Sequence, residues 1–508
     1  MPADERPYRR RVLLNTASTS AANVWAMVVM LVSVPLLLHG LGVEAFGVWA
    51  LLQAFSATNG WLSIAELGVG TAVTHFVAVR AARDDRDGAV AIGRAGSLVL
   101  LVIGALCAVG MIGFGLSAFA SAFHVPASLR AGVRVAIPFF SAQIIPDLLL
   151  KGWTSELEGY QRVDLSRLVD GIRRTLVAAA TIVVALAGGG LAGVAIASLA
   201  ATATSALIGA ALVRRFTRGS SATAWPSELR GIVGYAWRVA VVDAQGVVHR
   251  SMDRVIVGAI IGPAAVALVE IATQVQNAAN AVLSAASYAV TSSSAWLRSR
   301  GDSETLRELL ERGTRYSLLV TWPLAVITAV LARPLIHVWV GSRYDDAAGL
   351  VVVALLPLVS APLQVGSNML RGTGRINRIL WPAVTATVVN VVASIVLVHR
   401  YGIVGVFIGT VVGTVVLVPS LGIAVLDEYD IRASTFLREA VVPALVPSLL
   451  LLAATLATVA VSSGDVVTIT ATSVVGLVVY TAATLRLGLR PGEARELVHT
   501  VRRQPRPT

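Results

Sequence analysis

Long apolar runs, mostly Ala, Val, Leu and Ile, recur along nearly the whole chain and alternate with short connections rich in Arg, Asp, Gly and Pro. A run of about 20 apolar residues is long enough to cross the hydrocarbon core of a bilayer as a helix. The runs do not show the short alternating strands of a membrane β-barrel. The pattern therefore predicts an all-α integral membrane protein.

The apolar runs predict about fourteen membrane-spanning helices. The predicted spans are residues 14–38, 44–80, 89–118, 131–155, 166–188, 190–213, 231–260, 263–295, 314–340, 346–369, 376–398, 402–425, 437–461 and 466–486. The second would be ~55 Å long, whereas the hydrocarbon core is only ~30 Å thick. We expect it to tilt, bend or protrude, with bends at Gly60, Gly68 and Gly70.

Composition and charge agree with a membrane protein. Of the 508 residues, 56% are hydrophobic and 14% are charged, with a mean hydropathy of +0.76, whereas a soluble chain has about 25% charged residues. Arginines cluster at every second connection, which predicts cytoplasmic amino and carboxyl termini by the positive-inside rule. This topology accounts for most of the net charge of +12, so contact with anionic membrane lipids is expected and nucleic acid is not. The single cysteine, Cys107, indicates neither a disulfide nor a metal site.

An internal repeat organises the chain. Three pairs of similar segments begin at Gly190 and Gly402, at Glu158 and Arg371, and at Gly42 and Gly262, in the same order and at nearly constant spacing. The repeat predicts two six-helix halves, residues 14–215 and 228–427, followed by two additional transmembrane helices at 437–486. Because six is even, both halves enter the membrane from the same side, as in transporters with parallel repeats.

Two absences in the sequence favour a transporter over an enzyme. The longest connection, about 214–230, is too short for a soluble catalytic domain. The ATP-binding pattern Gly-x-x-x-x-Gly-Lys-(Ser/Thr) does not occur. We expect no cofactor, and transport driven by an ion gradient, the membrane potential or consumption of the substrate outside, with H⁺ or Na⁺ as candidate coupling ions.

The amino-terminal part of the chain carries a distinctive set of motifs. Its positions are Asn15, Pro35, Gly42, Glu44, Phe46, Gly47, Glu66, Gly68 and Gly70. This set resembles the opening of bacterial polysaccharide flippases, members of the multidrug/oligosaccharidyl-lipid/polysaccharide exporter superfamily. Two later segments, MDRVIVGAIIGPAAVALVEIATQV from Met252 and WVGSRYDDAAGLVVVALLP from Trp339, are similar to turns of the same family. The resemblance covers about residues 10–430.

The resemblance implies a V-shaped, MATE-like transporter in the bacterial cytoplasmic membrane. Such a protein flips a lipid-linked oligosaccharide, a sugar unit on polyprenyl pyrophosphate, from the inner to the outer leaflet by alternating access. Its expected partners are this substrate, membrane lipids, and a polysaccharide polymerase with glycosyltransferases. A cavity that accepts pyrophosphate needs cations and hydrogen-bond donors.

Ionisable and polar residues inside the spans are the candidate site residues, because they are costly in lipid and usually face a cavity or a partner. The predicted substrate-binding residues are Arg238, His249, Arg250, Arg254, Gln274, Asn277 and Asn280. Arg250 and Arg254 are the first candidates for the pyrophosphate, since arginine binds phosphate through forked hydrogen bonds. The alternative is an ion-paired cluster of Arg250, Asp253 and Arg254 near the helix end, and the amide stripe of 274–280 is equally suited to helix packing.

A second set of residues is predicted to serve ion coupling or gating. Its members are Glu66, Asp147, Lys151, Asp243 and Asp253, with Gly68 and Gly70 as bending points. Glu66 is a candidate for binding the coupling ion or countering an arginine, and a packing hydrogen bond is its alternative. Asp147 and Lys151, one turn apart, fit a self-neutralising packing pair as well.

Three other functions are compatible with the same sequence features. A cation-coupled multidrug antiporter would have a cavity dominated by carboxylates, which the arginines of residues 231–260 disfavour. A peptidoglycan-precursor flippase is a close neighbour that the sequence separates poorly from the first interpretation. A transport-inactive membrane scaffold for polysaccharide assembly is the third.

Overall fold

A computed structural model describes residues 5–58, 60–66, 68–220, 226–284, 287–461 and 466–488. Every regular element within these ranges is helical, which confirms the predicted all-α class. The longer α-helices are numbered here in chain order.

The first nine helices are α1 (Glu5–Leu41), α2 (Val43–Ala54), α3 (Val69–Ala81), α4 (Arg86–Phe114), α5 (Ala127–Gly159), α6 (Val163–Leu186), α7 (Gly190–Thr217), α8 (Pro226–Ile260) and α9 (Pro263–Ser284). The other nine are α10 (Ser287–Ser299), α11 (Ser303–Val330), α12 (Ala332–Val340), α13 (Ala347–Leu355), α14 (Ala361–Gly372), α15 (Asn377–Tyr401), α16 (Ile403–Glu428), α17 (Val442–Val461) and α18 (Val466–Ala483).

Within the described ranges, nine helical segments are long and apolar enough to cross a membrane. The number becomes ten if α11 and α12, which meet at a bend of 73°, form one span. The count of about fourteen therefore stays a prediction. The charged helix α8 is not one of these segments.

The single helix predicted over 44–80 is wrong, because the chain breaks there, and the break contains two of the three expected bending points, Gly60 and Gly68. Helix α2 ends at Ala54, a short 3₁₀ turn covers Trp61–Glu66, and α3 begins at Val69. Gly68, just before α3, has φ 70°, a left-handed conformation that glycine adopts without steric cost. The break removes the mismatch between a ~55 Å helix and the ~30 Å hydrocarbon core.

The chain forms two compact units. The first unit contains Met1–Glu270 and Val398–Val406, and the second contains Ile271–Leu397 and Phe407–Thr508. In the first unit, α8 packs against α2, α3 and α4. The predicted bounds 14–215, 228–427 and 437–486 follow the sequence repeat rather than these contacts, and they stay predictions.

Each unit has its own apolar core. In the first, the rings of Phe55, Phe114, Phe119 and Phe123 form a cluster in which Phe119 and Phe123 lie 4.8 Å apart. In the second, a buried cluster includes Leu310, Met369, Leu370, Tyr429 and Phe436. These two cores pack the helices that carry the polar groups described below.

Left-handed backbone residues recur at the repeat spacings. The matching φ angles are 77° at Gly42 and 117° at Gly262, 61° at Gln161 and 76° at Gly374, and 58° at both Gly190 and Gly402. A positive φ is rare outside glycine, so its recurrence is a backbone counterpart of the sequence repeat.

Candidate functional site

An ion-paired cluster lies between α5 and α6 of the first unit. The buried Asp147 accepts a hydrogen bond from Gln143 Nε2 at 3.2 Å, and Arg173 Nη1 lies 3.5 Å from its Oδ1. Arg173 Nη2 also lies 3.5 Å from Asp170 Oδ1, and Arg174 Nε donates to Asp170 Oδ2 at 2.8 Å. We refer to Asp147, Asp170, Arg173 and Arg174 as the α5–α6 cluster.

The α5–α6 cluster is costly to bury. The side chains of Asp147 and Arg173 are 5% and 12% exposed, and removing two charges from water costs several kcal/mol per ion before they attract each other. Two carboxylates and two guanidiniums leave the cluster neutral. Charged groups kept inside apolar helices usually mark a pathway or a binding site.

Three polar groups converge on Gly70 in the first turn of α3. Glu66 Oε1 accepts a hydrogen bond from the Gly70 N–H at 3.2 Å. A Cβ atom added to Gly70 would lie 2.7 Å from Ser155 Oγ and 3.2 Å from Lys151 Cε, and it would clash with the Glu66 carboxylate. Gly70 thus lets Glu66 and Lys151 approach the same point, and we call this the Gly70 site.

The two predicted neighbours Asp147 and Lys151 belong to different sites. Asp147 is paired with Arg173 of α6, whereas Lys151 lies beside Glu66. Glu66 satisfies one of the first backbone N–H groups of α3, which have no partner inside the helix. A carboxylate placed among apolar residues therefore lies at a helix break rather than within a continuous span.

Arg254, a predicted substrate contact, pairs with Glu270 in the first unit. Its Nη1 lies 3.4 Å from Glu270 Oε2, and the side chains are 16% and 11% exposed. The neighbouring Asp253 is half-buried. The side chains of four other predicted residues, Arg238, Asp243, His249 and Arg250, lie outside the described part of α8.

The predicted amide stripe lies on α9. Gln274 and Asn280 are half-buried and Asn277 is exposed. Their part in sugar binding stays a prediction. Among the described residues, no group of three or more His, Cys, Asp or Glu side chains is placed to hold a metal ion.

The structure adds residues that the sequence analysis missed. Asp170, Arg173 and Arg174 lie in the segment VDGIRRTL of a predicted span, and the same rule that selected Arg254 applies to them. Glu156 is also buried, with its carboxylate packed against Gly93 of α4. Charge within a predicted span was a sufficient signal for the first three, whereas Glu156 lies just beyond the predicted span 131–155.

Known structures share this architecture. The lipid II flippase MurJ, in an inward closed conformation, matches with a TM-score of 0.73 and 13% identity over 92% of this chain and 97% of that one. An inward-facing multidrug resistance MATE family transporter of the MOP superfamily matches with a TM-score of 0.62 and 17% identity over 82% and 94%. The chain has a MATE-like fold.

Family and sequence comparisons add to this fold. Residues 161–349 match the family described as polysaccharide biosynthesis protein. A MOP superfamily transporter from Pyrococcus furiosus Vc1, described as having a binding pocket of reverse polarity, matches with a TM-score of 0.54 and 18% identity over 84% and 94%. No curated protein sequence matches the chain. These findings confirm the MATE-like fold, and the match of residues 161–349 agrees with the resemblance to polysaccharide-synthesis proteins that the sequence motifs indicate.

Proposed function

We propose that the protein flips a lipid-linked oligosaccharide from the inner to the outer leaflet by alternating access. The observation that carries the proposal is the match of residues 161–349 to a polysaccharide biosynthesis family on a MATE-like fold. This region contains Arg173 and Arg254, two arginines of the first unit that form buried ion pairs. Cationic groups inside apolar helices suit a substrate whose headgroup carries a pyrophosphate.

In this proposal the buried ion pairs exchange partners. Each arginine is neutralised by a carboxylate, at 3.4 Å for Arg254 and Glu270 and at 3.5 Å for Arg173 and Asp147. A pyrophosphate oxygen competes with the carboxylate for the guanidinium, because both accept its forked hydrogen bonds. The displaced carboxylate then needs a proton or a sodium ion, since an uncompensated buried charge is costly.

The exchange would make the binding of H⁺ or Na⁺ at the carboxylates accompany substrate binding. Asp147 and Glu270 would take up the ion when the substrate binds and release it when the arginine returns. Glu66 is a third candidate, with Gly68 and Gly70 at the adjoining helix break. We place the protein in the bacterial cytoplasmic membrane with cytoplasmic termini, working with a polymerase and glycosyltransferases.

The alternatives make different demands on the charged groups. A cationic drug requires carboxylates available to it, whereas Asp147 and Glu270 are paired with arginines. This pairing favours an anionic substrate over drug export. A peptidoglycan-precursor flippase has the same headgroup chemistry and differs only in the sugar. A transport-inactive scaffold predicts that neither arginine affects export.

The test is complementation of strains that lack a polysaccharide flippase, with surface polysaccharide and membrane abundance measured together. We expect the wild type to restore export and Arg254→Gln to reduce it about tenfold or more, the effect of losing one charge-assisted hydrogen bond. Arg162→Gln is the matched control, because Arg162 pairs with Asp164 beside the start of α6.

A paired variant separates substrate contact from packing. Arg254→Gln leaves Glu270 buried and uncompensated, whereas Arg254→Gln/Glu270→Gln removes both charges and relieves that cost. If Arg254 binds substrate, the double variant remains inactive at normal abundance. Recovery of export in the double variant would give the pair a structural role.

A further inference from the structure

The predicted cytoplasmic end of the second unit carries an arginine cluster of unusual composition. Glu428, the last residue of α16, is 7% exposed, and it receives Arg298 Nη1 and Arg375 Nε at its Oε1, both at 3.1 Å. Arg378 Nε lies 3.2 Å from its Oε2. We call Arg298, Arg375, Arg378 and Glu428 the Glu428 cluster.

The Glu428 cluster has more positive charge than it neutralises. Three guanidinium groups share one carboxylate, which leaves two positive charges in excess. The nearby Asp430 is engaged by Arg307 at 2.7 Å. The exposed Asp427 is outnumbered by Arg371, in the last turn of α14, and Arg432, in the connection after α16. An anionic group is the complement that this charge distribution lacks.

The three arginines remain accessible. Their side chains are 40% exposed at Arg298, 52% at Arg375 and 44% at Arg378. A guanidinium has five N–H donors, so an ion pair through one nitrogen leaves other donors for a second anion. Glu428 holds one edge of each group in place while the other edges reach the surface.

Packing and hydrogen bonding hold the backbone next to the Glu428 cluster in place. Leu297 and Tyr429, which flank Arg298 and Glu428 in the chain, are both buried in the apolar core of the second unit. Arg378 Nη1 also donates to the carbonyl of Ala424 at 3.3 Å. Groups held in advance lose less conformational entropy when a ligand binds.

Two exposed tryptophans place the Glu428 cluster at headgroup level. Trp296 and Trp381 are 54% and 69% exposed, and they lie just before Arg298 and just after Arg378 in the chain. The guanidinium of Arg300 lies over the Trp296 ring at 4.1 Å. Tryptophan is enriched where a membrane protein meets lipid headgroups. The neighbourhood therefore favours an anion carried by a lipid.

We propose that the Glu428 cluster binds the phosphate headgroup of an anionic lipid. Phosphate oxygens would complete the hydrogen bonds of Arg298, Arg375 and Arg378, and the lipid chains would lie beside Trp296 and Trp381. The site stands on these contacts and does not depend on transport. The shared chemistry fits two sources, a bilayer phospholipid and a polyprenyl pyrophosphate.

The test is lipid retention by the purified full chain, measured by native mass spectrometry. Phosphatidylglycerol, phosphatidylcholine with the same acyl chains and a polyprenyl pyrophosphate are offered in turn. We expect the wild type to prefer phosphatidylglycerol over phosphatidylcholine about tenfold, and Arg375→Gln/Arg378→Gln to lose most of that preference. Arg162→Gln, at the repeat position of Arg375, should behave as the wild type.

Each outcome of the lipid-retention test either supports or overturns the proposed lipid site. A wild-type preference in folded Arg375→Gln/Arg378→Gln overturns the proposal, as does binding of inorganic pyrophosphate without selection among lipids. If the double variant is unstable, Arg298→Gln tests the same site, with a loss of about threefold expected. Stronger retention of phosphatidylglycerol assigns the site to bilayer lipid, and stronger retention of polyprenyl pyrophosphate assigns it to the carrier. Both results support the site, and neither requires export.

Discussion

The carboxyl ends of α7 and α16 occupy equivalent positions of the two repeats but are held by different chemistry. In the first unit, Phe216 stacks on Tyr160 at 5.6 Å, and Arg162 lies over its ring at 5.8 Å. At the repeat position in the second unit, Glu428 takes the place of Phe216 and pairs with Arg375 at 3.1 Å. The arginine is kept while its partner changes from a ring to a carboxylate.

The change of partner from Phe216 to Glu428 accompanies one further difference in sequence between the two repeats. Arg162 has its own acid, Asp164, with two hydrogen bonds of 2.9 Å. Asn377 stands at the corresponding place after Arg375 and supplies no charge. Arg375 therefore relies on Glu428, and so do Arg298 and Arg378. Arg162 is thus neutralised by its own acid, whereas three arginines share Glu428, a difference that a shared fold does not require.

The largest change in the free energy of unfolding is expected from substitution of Glu428. Glu428→Gln leaves three arginines without their common counter-charge, and we expect a loss of about 2–3 kcal/mol in the free energy of unfolding, below the value for a fully buried pair because the arginines are partly exposed. Unfolding of the purified protein in denaturant measures it. No loss would show that the Glu428 cluster contributes nothing to stability.

A smaller effect is expected at the equivalent position of the first unit. Phe216→Leu keeps an apolar side chain but removes the stack on Tyr160 and the contact with Arg162. We expect a loss of about 1–2 kcal/mol. The same denaturant unfolding gives the value, and the difference should persist in high salt. A loss equal to or above that of Glu428→Gln would contradict the ranking of the two ends.

Substitution of the matching left-handed glycines should destabilise the two repeats by the same amount. Gly190 and Gly402 both have φ 58°, and open space surrounds each Cβ position. Alanine at either position should therefore destabilise by about 1 kcal/mol through backbone strain alone. Thermal unfolding of the two variants provides the comparison. Unequal losses would mean that the repeats differ in backbone as well as in side chains.

The smallest change in stability is expected from substitutions at two helix N-caps. Asp85 and Asp302 accept backbone N–H groups of Gly88 and Thr305, and these hydrogen bonds hold the pKa of each carboxyl below its usual range. A lowered folded-state pKa gives stability that is present above about pH 4 and is lost as the pH falls through the folded-state value.

Asparagine tests these caps because it retains an acceptor without the charge. Asp85→Asn and Asp302→Asn should each slightly lower stability near pH 7, where the charge of the carboxylate no longer contributes, and flatten its decline below about pH 4, where the variant and the wild type converge. The unfolding midpoint as a function of pH measures this. An unaltered acid decline in both variants would exclude the caps as its source.

Local patterns predicted much of the fold, whereas contacts between distant segments decided the sites. Apolar periodicity predicted the helices and the all-α class, and the opening motifs predicted the MATE-like fold. The excessive length of 44–80 signalled a bend, but only the structure shows the 3₁₀ turn at Trp61–Glu66. Length alone does not say whether a helix tilts or breaks.

The candidate sites needed tertiary information. Asp147 has a lysine one turn away in its own helix, yet it pairs with Arg173 of α6. The Glu428 cluster joins three segments that are far apart along the chain. Charge spacing within one helix predicts neighbours on that helix, and it contains no information about which other helix packs against it.

Flippase activity is measured directly as lipid transport by the purified protein in liposomes. A fluorescent saccharide on polyprenyl pyrophosphate is placed in both leaflets, and the fraction quenched from outside is followed in time with and without an ion gradient. We expect the wild type to move the lipid from the protected leaflet and Arg254→Gln/Glu270→Gln not to move it. A wild-type rate equal to that of protein-free vesicles, under both H⁺ and Na⁺ gradients, would contradict the proposed function.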